Sequence, residues 1–206
     1  MLLASLLLPR SPASHAIAKS CYHSGMRTFP VIAMIASTLA LAALAGCSPK
    51  FNWREYSSSD APYQIMFPDK PSTHTRSIDL NGIKVNMTMT AAEVDGTMFA
   101  VGTAEAPDEA KAEAALGAMR TALVNNIGAT VKTEKSTKAV AAAGASAARG
   151  ATIGIDAVGV QKGEPMRLVA HFESRNKRFY QVVVLGKEKE VSKENVEQFM
   201  SSFRLQ

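Results

Sequence analysis

Two groups of residues in this chain are of types that do chemistry. The first is Cys47, which closes the run Leu44-Ala45-Gly46-Cys47 directly after the uncharged apolar stretch 31–46. A thiol can form a thioether, and the residues directly ahead of it are small. The second is His171. Strand alternation puts it on the same face as Arg167, Val169 and Glu173. An imidazole beside a carboxylate, from Glu173 or Asp156, could exchange protons as an acid–base pair; a surface or satisfied sheet histidine is the preferred reading. The sequence holds no Gly-rich phosphate loop, no His-Glu-x-x-His helix and no Gly-x-Ser-x-Gly elbow. No catalytic, cofactor-binding or metal-ligating residue is therefore assigned, and Met87 and Met89 are read as core rather than as copper or heme ligands. Asn86-Met87-Thr88 fits a glycosylation sequon and is treated as coincidence.

The elements that must position Cys47 are plain. Residues 31–46 are apolar and end in small side chains, and Met26-Arg27 supplies a start residue and a positive charge ahead of them. Basic end, short apolar core and small residues at the cut are the layout of a secretory signal peptide. The stretch is about as long as the shortest membrane-spanning helices, so an uncut anchor is the competing reading. Leu44-Ala45-Gly46-Cys47 resembles the lipobox of bacterial lipoproteins. That resemblance implies cleavage between Gly46 and Cys47, a diacylglyceryl thioether on Cys47 and acylation of its new amine. Several acyl chains would anchor stably where one holds only marginally. In that family an Asp after the cysteine favours inner-membrane retention, so Ser48 leans toward the outer membrane, with the domain facing the periplasm. Residues 1–25 add a second apolar run, Leu2–Leu8, to a signal already complete from Met26; they are read as an over-extended start. The expected organisation is 1–25 over-extended start, 26–46 signal peptide, 47–61 lipidated cysteine and tether, and 62–206 a single domain.

Composition narrows the function. The cysteines are Cys21 and Cys47, so removal of the leader leaves one and excludes both an intramolecular disulfide and a cysteine metal site. Arg10, Lys19 and Arg27 precede Cys47, whereas all 18 acids follow it, which leaves a formal charge of only about +2 on the mature part and argues against a nucleic-acid partner. A domain of about 160 residues buries roughly 70% of the surface its unfolded chain exposes.

The folded part reads as strands and two helices. Residues 48–61 carry Pro49, Ser57-Ser58-Ser59 and Asp60, which favour loops; Trp53 within them is expected to pack on the domain rather than sit in a membrane interface. Tyr63, Ile65 and Phe67 alternate and stop at Pro68. Strands follow at 75–80, from Ile83 through Met89, and at 97–103, joined by the turn pairs Asn81-Gly82 and Asp95-Gly96. Pro107-Asp108-Glu109 opens a helix along Leu116, Met119, Leu123 and Ile127 that ends at Gly128. Further strands are expected at 129–135, 151–158, 166–174 and 178–185, with Ala139–Arg149 read as strand or loop. The run Phe179–Leu185 is apolar on both faces except for Gln181, as in a covered central strand. Ser192 caps a last helix with a staple between Val191 and Val196 and a stripe through Phe199, Met200 and Phe203.

The class is α+β: an antiparallel sheet of about six to eight strands with one helix mid-chain and one at the end. Tyr63-Gln64-Ile65-Met66-Phe67-Pro68, Arg178-Phe179-Tyr180-Gln181-Val182-Val183-Val184-Leu185-Gly186 and Val196–Phe203 together resemble small proteobacterial lipoproteins of unassigned function and, more distantly, the PsbP and Mog1 α/β/α sandwich. That resemblance implies a non-catalytic binding or assembly module and transfers no site residues. The expected partners are the membrane, through lipid on Cys47, and an envelope protein. The alternative is a periplasmic hydrolase or small-ligand enzyme using His171 with Asp156 or Glu173.

Overall fold

Phe179, Tyr180, Val182, Val183 and Val184 are each at most 1% exposed, so this segment is covered on both faces. The computed structural model describes residues 50–138 and 150–206 and places this segment, as β9 (Arg178–Lys187), in the middle of a seven-stranded antiparallel sheet. The sheet order is β3 (Ser72–Leu80), β4 (Ile83–Val94), β5 (Thr97–Glu105), β9, β8 (Glu164–Arg175), β7 (Thr152–Gln161) and β6 (Thr130–Thr137). The chain divides at Cys47, and the unit Ser48–Gln206 holds every element described here. The leader, the Gly46–Cys47 cut, Ser48 and the Ala139–Arg149 segment lie outside the described residues.

Turn chemistry sets the register. Asn81 and Gly82 both take positive φ (53° and 88°), as do Asp95 and Gly96 (51° and 69°), which matches the twist two-residue hairpins require. Lys162-Gly163 repeats the pattern at the β7–β8 turn. These turns fix Leu80 against Ile83, Val94 against Thr97 and Gln161 against Glu164. A one-residue slip would turn every buried side chain of a strand to the wrong face.

Period-2 alternation then builds two cores, one on each side of the sheet. Phe179 and Val183 of β9, with Leu168, Ala170 and Phe172 of β8, face α1 (Glu109–Asn126). The helix meets them with Ala112, Ala115, Leu116 and Met119, and its small first turns allow a close approach. Asp108 caps it by accepting the Lys111 amide at 2.8 Å, and Gly128 (φ 55°) ends it. Tyr180, Val182 and Val184 point the other way, to α2 (Lys193–Ser202) and to a second sheet of three strands in the order β1 (Arg54–Ser57), β2 (Tyr63–Phe67) and β10 (Arg204–Leu205). Phe199 of α2 locks this layer, with its ring 5.5 Å from Phe67 and 5.3 Å from Phe99. Val191 and Val196 are both buried there, as the staple requires.

Two elements depart from the sequence expectation. Arg54–Ser57, assigned to the tether, forms β1 and pairs antiparallel with β2, so regular structure begins before residue 62. Arg204–Leu205, read as the end of the chain, forms β10 on the other edge of β2. Trp53 packs on the domain as expected, edge-on to Phe99 at 5.9 Å and stacked on Phe51 at 6.0 Å.

Candidate functional site

A groove of about 400 Å³ on the α2 side of the main sheet is lined by Lys135, Asp156, His171 and Glu173. Its floor is β7 and β8, its wall is the C-terminal end of α2, and its outer rim is β6. Met200 and Phe203, one helical turn apart, form the apolar wall. Gly154 leaves the floor bare between His171 on one neighbouring strand and Lys135 on the other, its two cross-strand partners. A Cβ at Gly154 would meet only the Lys135 carbonyl oxygen, at 3.8 Å. The open floor is therefore a choice of side chain and is not imposed by crowding.

An irregularity in β6 aims the rim. Val131 pairs with Ala157 and packs against the α1-side core, whereas Thr133 pairs with Asp156 and faces the groove. Residues two apart on a regular strand share a face. The bulge between them inserts one residue and turns Thr133 and Lys135 toward the groove.

The charged groups of the floor are largely paired with one another. Asp156 accepts from Arg167 Nε at 3.2 Å and Nη2 at 2.8 Å, a two-pronged contact. Hydrogen bonding to Asp156 raises the already high pKa of Arg167, and the same guanidinium reaches the Val191 carbonyl at 3.4 Å. His171 Nε2 lies 3.4 Å from Glu173 Oε2, and Arg175 lies 3.7 Å from the other oxygen of Glu173. The His171 ring stands 6.4 Å from that of Phe203.

The sequence grouped His171 with Asp156 and Glu173, and all three line this groove. The contact falls between His171 and Glu173, while Asp156 is engaged by Arg167. Thr133, Lys135, Gly154, Met200 and Phe203 were not singled out as site residues. Only the Met200–Phe203 stripe had a sequence signal, and it read equally as core. On the opposite face, His74, Arg76, Ile78, Met87 and Met89 line a smaller pocket of about 290 Å³. Met87 belongs to the core there, and the Gln181 amide donates to the Met89 sulfur at 3.3 Å and approaches that of Met87 at 3.8 Å. Among the described residues no group of three or more His, Cys, Asp or Glu side chains converges on a metal-sized site. Among them, too, no helix is long and apolar enough to cross a membrane.

The fold is an α+β sandwich. No family model matches the sequence, and no curated protein does. Among solved structures, the chain is similar to cyanobacterial PsbP from Synechocystis sp. PCC 6803, at 10% identity and a TM-score of 0.47, over 80% of this chain and 99% of that one. It is also similar to PA94 of Pseudomonas aeruginosa, a protein of unknown function described as a putative regulator, at 10% identity and a TM-score of 0.32, over 67% of this chain and 85% of that one.

Proposed function

We propose that this chain is an envelope lipoprotein, anchored through acyl groups on Cys47 and facing the periplasm, that acts as a non-catalytic binding or assembly module through the β6–β8 groove. The anchor half of the reading rests on the lipobox-like Leu44-Ala45-Gly46-Cys47 at the end of an apolar run, and Ser48 favours the outer membrane. The binding half is carried by one observation: the groove pairs an apolar wall, Met200 and Phe203, with a floor whose polar groups already contact one another, Asp156 with Arg167 and His171 with Glu173. Such a surface offers a partner apolar contact and fixed hydrogen-bonding groups without requiring it to neutralise a buried lone charge. The occupant that fits is a segment of an envelope protein.

A second reading, a periplasmic hydrolase or small-ligand enzyme, draws on the His171–Glu173 contact. Thr133 is the one hydroxyl-bearing side chain of the lining, and the His171 contact goes to Glu173 rather than to that hydroxyl. One experiment in the native cells separates the two. A photo-crosslinking residue at Lys135 should capture a stoichiometric partner that the same residue at Lys111, on α1, does not. Gly154→Leu, which fills the floor, should abolish capture, and His171→Ala should leave it intact. Loss of cellular function with His171→Ala, while capture persists, would favour the enzyme. Normal cellular function of an exported Cys47→Ala form would make the anchor irrelevant.

A further inference from the structure

We infer that the lipid anchor fixes the orientation of the domain as well as its location: the end of the main sheet bearing the Asp95-Gly96 and Lys162-Gly163 turns and the 188–192 loop lies against the bilayer, and the groove is held in the aqueous space above it. The inference rests on the lipidation of Cys47 and extends it.

The argument starts from chain length. Cys47, Ser48 and Pro49 precede Lys50, and these three steps reach about 10 Å at full extension. From Lys50 onward the chain is docked. Lys50 Nζ binds Asp95 Oδ2 at 2.9 Å, and the amide of Asn52 donates to the Pro68 carbonyl at 2.8 Å. Phe51 and Trp53 stack on each other and meet Phe99 edge-on at 6.3 and 5.9 Å. A flexible linker of a dozen residues would let the domain tumble; a three-residue leash ending on a stacked aromatic pair does not.

The docking point identifies the end. Asp95 sits in the β4–β5 turn. Thr97, which begins β5, donates to the Glu190 carbonyl at 3.5 Å; the Glu188 amide donates to the Pro165 carbonyl at 3.0 Å, and Lys187 pairs with Glu164 at 3.1 Å. The β4–β5 turn, the end of β9 and the start of β8 thus share one edge of the molecule. The opposite edge carries the Asn81-Gly82 turn, the Arg175–Lys177 turn and Gln206, whose amide donates to the Pro62 carbonyl at 3.0 Å. The run of β8 from Glu164 to His171 spans about 23 Å at about 3.3 Å per residue. His171 is therefore well above the headgroups, out of reach of lipids in the same leaflet, which is why the occupant of the groove is a water-borne segment.

Charge does not set this orientation. Three lysines at the membrane edge are paired, Lys50 with Asp95, Lys187 with Glu164 and Lys189 with Glu190, and Glu188 balances Lys162 in the count of charges, so that edge has little net attraction for anionic lipid. The stacked tether sets it, and salt should leave it unchanged.

The test uses the full mature chain, acylated in cells, checked by intact mass and placed in phosphatidylethanolamine–phosphatidylglycerol vesicles that carry a headgroup nitroxide quencher. Once the Cys47 thiol is a thioether, one introduced cysteine can take a fluorophore. Lys189→Cys should be quenched several-fold more than Lys177→Cys, at low and high salt alike. Equal quenching at the two positions, or the reverse order, in a chain of verified acylation overturns the orientation. A mature chain from the cells that intact mass shows to carry no acyl group overturns the lipid tether and the orientation with it. Phe51→Ala with Trp53→Ala should reduce the contrast toward unity with the sheet circular-dichroism signal retained; an unchanged contrast would remove the role given to the aromatic pair.

Discussion

Gly102 and Gly154 lie in the same sheet and have opposite tolerances. A Cβ on Gly102 would fall 2.5 Å from the Met89 sulfur and 2.7 Å from Gln181 Cγ, in a space already filled, whereas at Gly154 it meets one backbone oxygen in ordinary contact. Overpacking of that kind costs about 1–3 kcal/mol, while a strand glycine that gains an unhindered methyl gains about 0.5–1 kcal/mol through lost freedom in the unfolded chain. Urea unfolding should therefore show Gly102→Ala destabilised by that range and Gly154→Ala unchanged or more stable; similar losses at both would mean that the floor of the groove is packed. The same reasoning makes Gly154→Leu a clean way to close the groove. His171 and Glu173 sit two apart on β8 and so share a face by pleat alone, a contact legible in the sequence. The Asp156–Arg167 contact was not legible, because it joins two strands whose register depends on the Lys162-Gly163 turn.

At the level of elements, α2 is held by its ends. Ser192 Oγ accepts the Asn195 amide at 3.2 Å and Ser202 Oγ accepts the Met66 amide of β2 at 3.0 Å, while Phe199 packs on Phe99 of β5, so one helix joins both sheets. Ser192→Ala should cost about 1 kcal/mol, the usual loss for an N-cap, measured by chemical denaturation. No change would mean that water replaces the cap fully. Hairpins, the Ser192 and Gly128 caps and the staple were legible because each is a local rule acting over two to five residues. The strand β10 was not, since two residues carry no periodicity and Arg204 and Leu205 become a strand only by meeting Gln64 and Tyr63. The β6 bulge escaped for a similar reason: one inserted residue changes the face of Thr133 and Lys135 without changing the composition of the strand.

For the whole molecule, the α2-side core contains two buried phenols that tie the sheets together. Tyr63 and Tyr180 are each 1% exposed, and their rings lie 6.2 Å apart. Burial pushes the pKa of both above the ordinary tyrosine value of 10.0. A folded-state pKa above the unfolded one means that the folded state holds its proton longer. The associated stability is complete below about pH 10 and is lost as pH rises through the raised values. Thermal melting should accordingly be flat up to about pH 9 and fall steeply above 10, and Tyr63→Phe should reduce the alkaline slope. An equal slope in that variant would place the ionising group elsewhere. The single tryptophan, Trp53, lies on this same layer and reports its unfolding by fluorescence.

By itself the sequence determined the α+β class, the covered central strand at 178–185, the hairpin turns and both helices, because backbone propensity, alternation and capping act between near neighbours. It also supplies the only ground for an anchor at Cys47, which lies outside the described residues. Tertiary structure decided that Arg54–Ser57 and Arg204–Leu205 complete a second sheet, that Thr133 and Lys135 turn toward the groove, and that Asp156 pairs with Arg167. Those outcomes depend on contacts between residues far apart in the chain, on one bulge and on a glycine left bare, and no local pattern encodes them.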